Sequence, residues 1–573
     1  MTILFKLFFY STKAFELRLK IFFFGLYNII WYPKDIKILV KKTLQNNQNN
    51  QFKFKGDFLK KKFINKSINQ DEINFHNQKI SLENLIQIWK GRDLYSHNKE
   101  TQNLFFRFHW ILELLAKNNS EGIKSYIDLV CKFIETENNK TIKVLNAPYN
   151  ISERISNLSI FFIFLKKFNL EKSQLDHKFK KYIYSQLIFL LKKLEYLPSG
   201  RINNHILNNA RALYIGATFI GNSEILEISK KIIKKHLPKM LSESGFLKEN
   251  STHYHNLVTK SICEIYLISQ DIGDQEFMIW LENLLTKMLS ISKKFVFSND
   301  VKFNSQPKLG DVSPDFDLNW FDLYSNSQKN WSSLWNLENL PKLHNFDESL
   351  MDEHISILNI NKWKLISCTD TNSRLLSSGH GHEDFGSFII YFDGLEIISD
   401  IGRFSYDQIS KQNKLKKIIS GEEDSSHSRY IFFKEQEKDI NKFISLSRDL
   451  SLKKKVKVKE NLIKWTERGN TYKWKRKIEL KNKEILIKDC LDATFSKGFL
   501  FFSPKINLEK KSSNIIFLKH DEMTIGEIIF QPNLEFQIDD SAYFSEFLKI
   551  TKTKKVSWES SHVNKIEIKI LIY

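Results

Sequence analysis

Two hydrophobic rhythms divide this chain. Over residues 103–294 apolar side chains return every three or four positions, the spacing of helices with one buried face. The pattern predicts helices at 103–117, 122–135, 155–168, 177–195, 204–220, 223–237, 252–270 and 276–294. Short connections favour antiparallel neighbours, and helices of this length in succession read as an α/α toroid or solenoid, although no sequence repeat is visible. From about residue 350 the period falls to two. HISILNI, KWKLISC, SFIIYF, LEIIS, KVKVKE, NLIKWTER, TYKWKRKIEL, EILIKD, GFLFFS, EIIFQ and KIEIKILIY are short alternating runs separated by polar turns. Strands in that number with no helix between them predict an antiparallel β-sandwich.

The expected architecture is α+β and multidomain. It comprises an N-terminal amphipathic segment and linker over 1–75, an α/α toroid (an incomplete barrel of helical hairpins) over 76–345, and a C-terminal antiparallel β-sandwich over 346–573. Length agrees, since 573 residues are too many for one core, and 47 Phe within a 42% hydrophobic composition can fill several. Residues 1–42 are apolar and aromatic, but Lys6, Lys13, Glu16, Arg18 and Lys20 interrupt them. No run reaches the roughly 18–20 residues of a membrane-spanning helix, and no small-residue cleavage site follows a clean apolar stretch. This segment reads either as a helix or two packed on the main body or as an interfacial helix making peripheral membrane contact through snorkelling lysines. Residues 43–75, rich in Asn, Lys and Gln, read as a loop-rich connection.

A net charge of +21 attracts polyanions without choosing among nucleic acid, acidic polysaccharide and anionic membrane. Lys is abundant together with Asn, Ile and Phe, the mark of an AT-rich coding habit, and no nucleic-acid-binding motif accompanies it. The lysines that alternate with Val, Ile and Trp over 454–481 read as the solvated face of a half-buried sheet. Cys131, Cys263, Cys368 and Cys490 are scattered with no C-x-x-C pair, so four small buried residues are expected, with no disulfide framework or zinc ribbon.

Candidate chemistry gathers where histidines are. The stretch SGHGHEDFGSFIIYFDGLEIISDIGRFSY places His380 and His382 in a glycine-flanked turn before an alternating strand. Side chains at i and i+2 of an extended segment share a face, so both imidazoles can address one site, as metal ligands or as an acid/base plus a ligand. Arg201-Ile-Asn-Asn-His205 opens a helix, where free N–H groups favour anions, and Asn204 and His205 there can bind a carboxylate. Glu249-Asn-Ser-Thr-His-Tyr-His255 opens another, and Tyr254 between two histidines is a proton-transfer candidate that needs cationic neighbours to act as a base. Ser426-His427-Ser lies farther on.

In order along the chain, these pieces resemble the heparinase II/III-like polysaccharide lyases. The pieces are Asn-Asn-His205 before ARALYIG, Glu249-x-Ser-x-x-Tyr254, Leu309-Gly-Asp311, Gly-His380-Gly-His382-x-Asp384-x-x-Ser387-Phe, Asp400-x-Gly402-x-x-x-Tyr406 and Ser426-His427-Ser. The resemblance implies β-elimination at a uronic acid of an anionic polysaccharide. Asn204 and His205 would neutralise the carboxylate, Tyr254 would be the acid and also the base, and His380 would be the second proton-transfer group or the base, depending on the stereochemistry at C5. Arg201, Glu249 and His255 would contact substrate. It also implies a structural zinc ion held by His382, Asp400 and His427, no organic cofactor, and a cell-envelope or periplasmic setting that the missing secretion signal leaves open. The alternatives are a non-catalytic acidic-glycan-binding protein in surface-polysaccharide assembly and a glycoside hydrolase. The latter needs two opposed carboxylates; Glu249, Asp311 and Glu383 supply acids but leave the histidines unexplained.

Overall fold

The computed structural model describes residues 33–45, 54–60, 72–76, 78–117, 120–136, 142–170, 173–196, 202–295, 306–315, 331–343, 349–371, 380–382, 384–406, 426–432, 453–469, 472–493, 495–560 and 565–573. Arg201 and the first 32 residues, with the membrane contact expected there, lie outside them.

Helix α1 (Lys34–Gln45) buries Ile36, Val40 and Thr43, and its Asp35 pairs with Lys235 at 2.7 Å. A hairpin of β1 (Glu72–Phe75) and β2 (Gln78–Ser81) follows, partly within the stretch expected to be loop. Then come α2 (Leu82–Trp89), α3 (Lys99–Arg107), α4 (His109–Lys117), α5 (Ser120–Thr136), α6 (Pro148–Lys167), α7 (Ser173–Leu191), α8 (Asn204–Ile220), α9 (Ser223–Met240), α10 (Thr252–Asp271) and α11 (Gln275–Lys294). The helix expected over 103–117 is two helices, broken at Phe108 in the left-handed conformation (φ 61°). The Phe108 ring packs with Trp89, Trp110 and Phe133, and that burial offsets the local backbone cost.

Helices α6, α8 and α10 are buried along nearly their whole length and form the inner layer, while α5, α9 and α11 each keep a polar face outward. All-round burial places charge between the inner helices. Arg211 of α8 reaches Glu153 of α6 at 3.2 Å and Glu264 of α10 at 2.5 Å, and Lys260 and the Trp331 indole also bond Glu264. Two cations against two carboxylates leave this buried cluster neutral.

The β half is antiparallel throughout its described pairs. Its strands are β3 (Leu350–Met351), β4 (Ile355–Ile360), β5 (Trp363–Cys368), β6 (Phe388–Phe392), β7 (Leu395–Ile398), β8 (Tyr430–Phe432), β9 (Lys453–Lys459), β10 (Leu462–Arg468), β11 (Lys473–Leu480), β12 (Glu484–Asp492), β13 (Ser496–Phe501), β14 (Asn507–Lys510), β15 (Ile515–His520), β16 (Met523–Phe530), β17 (Phe536–Glu546), β18 (Lys549–Ser560) and β19 (Lys565–Ile572). An eight-stranded sheet runs β14-β15-β16-β19-β12-β11-β10-β9, facing a five-stranded sheet (β3-β4-β5-β6-β7) and a four-stranded one (β17-β18-β13-β8). Their inner faces share one core that includes Trp363, Phe388, Trp465, Trp474, Leu500 and Trp558. The α/α toroid followed by an antiparallel sandwich is the architecture the periodicity implied. Six strands escaped it: β3, β8, β14, β15, β17 and β18. In β17, half-buried Asp539 and Ser541 blur the alternation, and pairing with β18 supplies what periodicity did not. Cys263 and Cys368 are buried as expected, but Cys131 is half-buried and Cys490 is exposed.

The two halves meet over a separate apolar cluster. Phe246, Ile291, Phe295 and Leu309 of the helical half pack on Ile355, Ile357, Ile366, Ile389 and Tyr391 from the outer face of the five-stranded sheet. Gly386 takes φ +78°, and a Cβ there would stand 2.5 Å from the Trp474 ring. Gly386→Ala therefore combines a left-handed alanine with overpacking and should cost about 3 kcal/mol. Urea unfolding followed by tryptophan fluorescence checks this, and an unchanged midpoint contradicts it.

Candidate active site

The segment 306–315 carries the toroid into the sandwich. Thr252 N–H donates to Leu309 O (3.0 Å) and Ser251 Oγ to Asp311 O (2.6 Å), which straps the segment across the start of α10. Gly310, at φ +70°, lets it pass close to the loop that carries His380, and Asp311 N–H donates to His380 O at 3.1 Å.

The fully buried Asp311 carboxylate collects four donors from the sandwich. His380 Nδ1 lies 3.0 Å from Oδ2, His382 Nε2 2.8 Å from Oδ1, Tyr406 Oη 2.9 Å from Oδ2, and Arg403 Nη1 3.0 and 3.1 Å from the two oxygens. Burial alone would raise this carboxyl; the hydrogen bonds from both histidines and the Arg403 charge outweigh it and hold it well below the ordinary carboxylate range.

Around Asp311 stand the reactive groups. Tyr254 is placed by the N-cap of α10, where Ser251 Oγ accepts its backbone N–H at 3.1 Å. Its ring stacks on His380 with centroids 3.6 Å apart, and its hydroxyl lies 3.1 Å from the Tyr406 hydroxyl. Burial pushes both phenols well above their usual range, and the Asp311 charge adds to the effect, so each is held as a neutral O–H. Asn204 heads α8, where Glu249 accepts its backbone N–H and its amide Nδ2, both at 2.7 Å. The other amide hydrogen points to His380 Nε2 at 3.1 Å. An amide donor at Nε2 makes that nitrogen a lone-pair acceptor and leaves the ring proton on Nδ1, facing Asp311. Burial opposes a charge on His380, but the Asp311 hydrogen bond and the Glu249 charge prevail and raise its proton affinity. In that tautomer the ring can accept a proton at Nε2.

His205 stands one residue on, half exposed. Its Nδ1 meets Glu195 Oε1 at 3.0 Å and its ring lies on Tyr149, 4.7 Å between centroids. Tyr149 donates to Asp315 at 3.1 Å, and Asp315 also pairs with buried Arg107.

A second buried cluster begins at the other ring on Asp311. His382, Asp400 and His427 bring one ligand atom each within 4.8 Å of one another. His427 Nδ1 meets Asp400 Oδ2 at 2.6 Å, whereas His382 Nδ1 and His427 Nε2 are buried without hydrogen-bond partners. Two orphaned imidazole nitrogens beside a carboxylate fit a metal ion, and Asp311 on the far nitrogen of His382 supplies the outer partner that ligating histidines commonly have.

Two other expectations are placed elsewhere. Glu249 is buried with both oxygens committed to Asn204, so it positions that amide and does not line the cleft. His255 is turned outward, between Leu247 N–H (3.3 Å) and Met288 O of α11 (3.1 Å), and stacks on Phe246. It is a packing residue. Asp311 and Tyr406 stood inside quoted motifs without a role, and Arg403 sits between Gly402 and Tyr406; a lone acid after a glycine and a cation–aromatic pair were the available signals. Glu195 and Tyr149 gave none.

No family model matches the sequence, and no curated protein matches it. Solved structures do. A heparan sulfate lyase HepC mutant from Pedobacter heparinus superposes with a TM-score of 0.57 at 14% identity, covering 94% of this chain and 88% of that one. A heparinase III gives 0.59 at 14% identity, covering 89% and 87%. Another heparinase III gene product gives 0.55 at 14% identity, covering 95% and 91%. At that identity the likeness is one of fold: this chain has the toroid-plus-sandwich architecture of the heparinase III structures, as the sequence resemblance anticipated.

Asp311→Asn preserves shape but cannot accept from two imidazoles, a guanidinium and a phenol at once. It should cost about 3–5 kcal/mol in urea unfolding, the range for breaking a buried charge pair. A loss below about 1 kcal/mol, the scale of a single ordinary hydrogen bond, would show that the junction does not depend on this carboxylate.

Proposed function

We propose that the protein is a polysaccharide lyase that cleaves a uronic-acid-containing anionic polysaccharide by β-elimination. The observation that carries this reading is the stack of Tyr254 on His380 with the Asn204 amide within hydrogen-bond reach of the same imidazole. It puts a neutral phenol, a basic imidazole and a carboxylate-binding amide around one point at the mouth between toroid and sandwich.

In this reading the uronate carboxylate accepts from the Asn204 amide and from Nε2–H of His205, which binds it as an imidazolium with Nδ1–H on Glu195, and this lowers the barrier to charge building on it. The Asn204 amide hydrogen that rests on His380 turns to the carboxylate and frees the Nε2 lone pair. His380 takes the C5 proton, and Asp311 and Glu249 stabilise the imidazolium that forms. The C5–H electron pair passes through an enolate into the C4–C5 double bond, and the C4–O bond breaks with its pair leaving on oxygen. Tyr254 gives its proton to that oxygen; burial keeps the phenol protonated in the resting site, so the proton is there to be given. No water is consumed. Tyr406, bridging Tyr254 and Asp311, offers a path to return the proton from His380.

The metal would be zinc, held by His382, Asp400 and His427, and when bound it would fix the loop that carries His380 by charge alone. No proton step uses it.

Tyr254→Phe should lower kcat for unsaturated product, read by ultraviolet absorbance on a panel of uronate polysaccharides, by about 10²–10⁴-fold. Retention of full activity in that variant, or no absorbance change from the parent protein on any uronate glycan, would sink the assignment. Metal analysis should find about one zinc ion per chain. His427→Ala should lose it and lower the thermal midpoint; a metal-free parent whose midpoint ignores chelators contradicts the zinc reading.

A further inference from the structure

The outer face of the eight-stranded sheet carries a charge pattern that the cleft does not use. At one edge β9 (Lys453–Lys459), β10 (Leu462–Arg468), β11 (Lys473–Leu480) and β12 (Glu484–Asp492) run side by side. Their register sets Lys457 opposite Lys464, Lys464 opposite Lys477, and Lys477 opposite Lys488. Four lysines thus stand in one row across four strands, with neighbouring Cβ atoms about 5 Å apart. In the adjacent rows Lys455 and Lys475 flank Thr466, and Lys453 and Lys473 flank Arg468. The alternating residues Ile463, Trp465, Trp474 and Ile478 are buried, so all these cations share the solvent face.

Like charges directly opposite one another destabilise an antiparallel pair. Abundant lysine alone does not produce the pattern, because elsewhere the same chain sets lysine against acid. Asp540 faces Lys554 across β17 and β18 with an ion pair of 2.6 Å, and Lys497 of β13 (Ser496–Phe501) meets Glu559 of β18 at 3.2 Å. On the basic face, Glu479 reaches Lys477 and Glu567 reaches Lys488, each at 2.8 Å. Lys473 faces Asp492 across β11 and β12, whereas Lys453, Lys455, Lys457, Lys464 and Lys475 have no ion-pair partner among the described residues. A row of lysines that runs inward from the edge strand of a regular sheet, with acids only at its inner end, leaves room for a counter-charge from outside.

We propose that this face docks a linear acidic polysaccharide at a surface separate from the cleft. The row spans three strand spacings, about 14 Å, so it grips several sugar units at once, and binding gains from the counterions that a linear polyanion releases. Chemistry favours a glycan over other polyanions. None of the exposed large apolar residues lies on β9–β12, whereas bases stack on aromatics and bilayers take apolar anchors. The choice of glycan rests on the lyase reading above: a chain held here stays at high local concentration near the cleft that cleaves it.

The test is binding of heparan sulfate chains to the full-length protein across a salt series. K457Q/K464Q/K475Q should weaken affinity about tenfold or more and lower the slope of log K against log salt by about 2–3, since three cations are removed. K497Q/K519Q/K554Q, which neutralises lysines that face acids, should change affinity less than about twofold. The thermal midpoint of the first variant should not fall, because repulsion is relieved, so lost binding is not lost folding. Binding by both variants equal to the parent's, or no binding of chains by the parent, overturns the proposal. So does tighter binding of phosphatidylserine vesicles or duplex DNA than of heparan sulfate through the same lysines. If chains bind through this face and no unsaturated product ever forms, the docking surface stands and the lyase reading fails. Product formation with unchanged binding in the first variant removes the docking surface alone.

Discussion

One carboxylate holds the two halves of this protein to a single site. Asp311 arrives at the end of the helical half, and its donors His380, His382, Arg403 and Tyr406 all belong to the sandwich. A buried anion is tolerable only when surrounded by donors of compensating charge, and here they come from the opposite half of the chain. Apolar packing between Phe295, Leu309, Ile366 and Ile389 brings the halves together without specifying a register. The Asp311 cluster specifies it, because four directional bonds cannot survive a slip of even an ångström. The same geometry orients His380 towards Asn204 and Tyr254, so interface and reactive centre share one set of bonds.

The two histidines of the Gly-His-Gly-His turn share this anion, yet they face different neighbours. His380 offers Nδ1 to Asp311 and turns Nε2 towards Asn204; His382 offers Nε2 and turns Nδ1 towards Asp400 and His427. The i, i+2 rule correctly puts both rings on one side. Which nitrogen each ring presents is decided by backbone and partner, and that separates a proton acceptor from a candidate metal ligand. A metal bound at the second cluster would act on the first only through Asp311, by stiffening the ring that shares its carboxylate.

Much of this was legible from periodicity. Helices α8, α10 and α11 fall within a residue of their expected ends because caps and apolar faces agree there, as with Ser251 at the head of α10 and Gly221 after α8. The split at Phe108 was not legible, since the contacts that favour it come from Trp89 and Phe133, brought near by folding. The same holds at the site. Tyr254 and His380 announce themselves by residue type and local context. Glu249 and His255, drawn from the same short motif as Tyr254, belong to the architecture instead: Glu249 precedes the N-cap and is taken up by Asn204, and on the first turn of the helix His255 points to a different side from Tyr254. Glu195 reaches His205 from the far side of a connection that carries no pattern.

Charge, finally, is deployed in opposite ways inside and outside. Three arginines near the reactive centre or beneath it are matched: Arg403 by Asp311, Arg107 by Asp315 and Arg211 by Glu153 and Glu264. The low dielectric there would make an unmatched charge costly. The net charge of +21 must therefore reside mainly where water screens it, and on β9–β12 it is gathered into rows. A charge-balanced interior under a strongly basic exterior separates two tasks that conflict when combined in one place. Attraction of a polyanion requires excess positive charge over a wide area. Transfer of its C5 proton, the step proposed for this site, requires a local field set by a few matched groups at fixed distances, and an excess charge placed among them would perturb every proton affinity on which such a transfer depends.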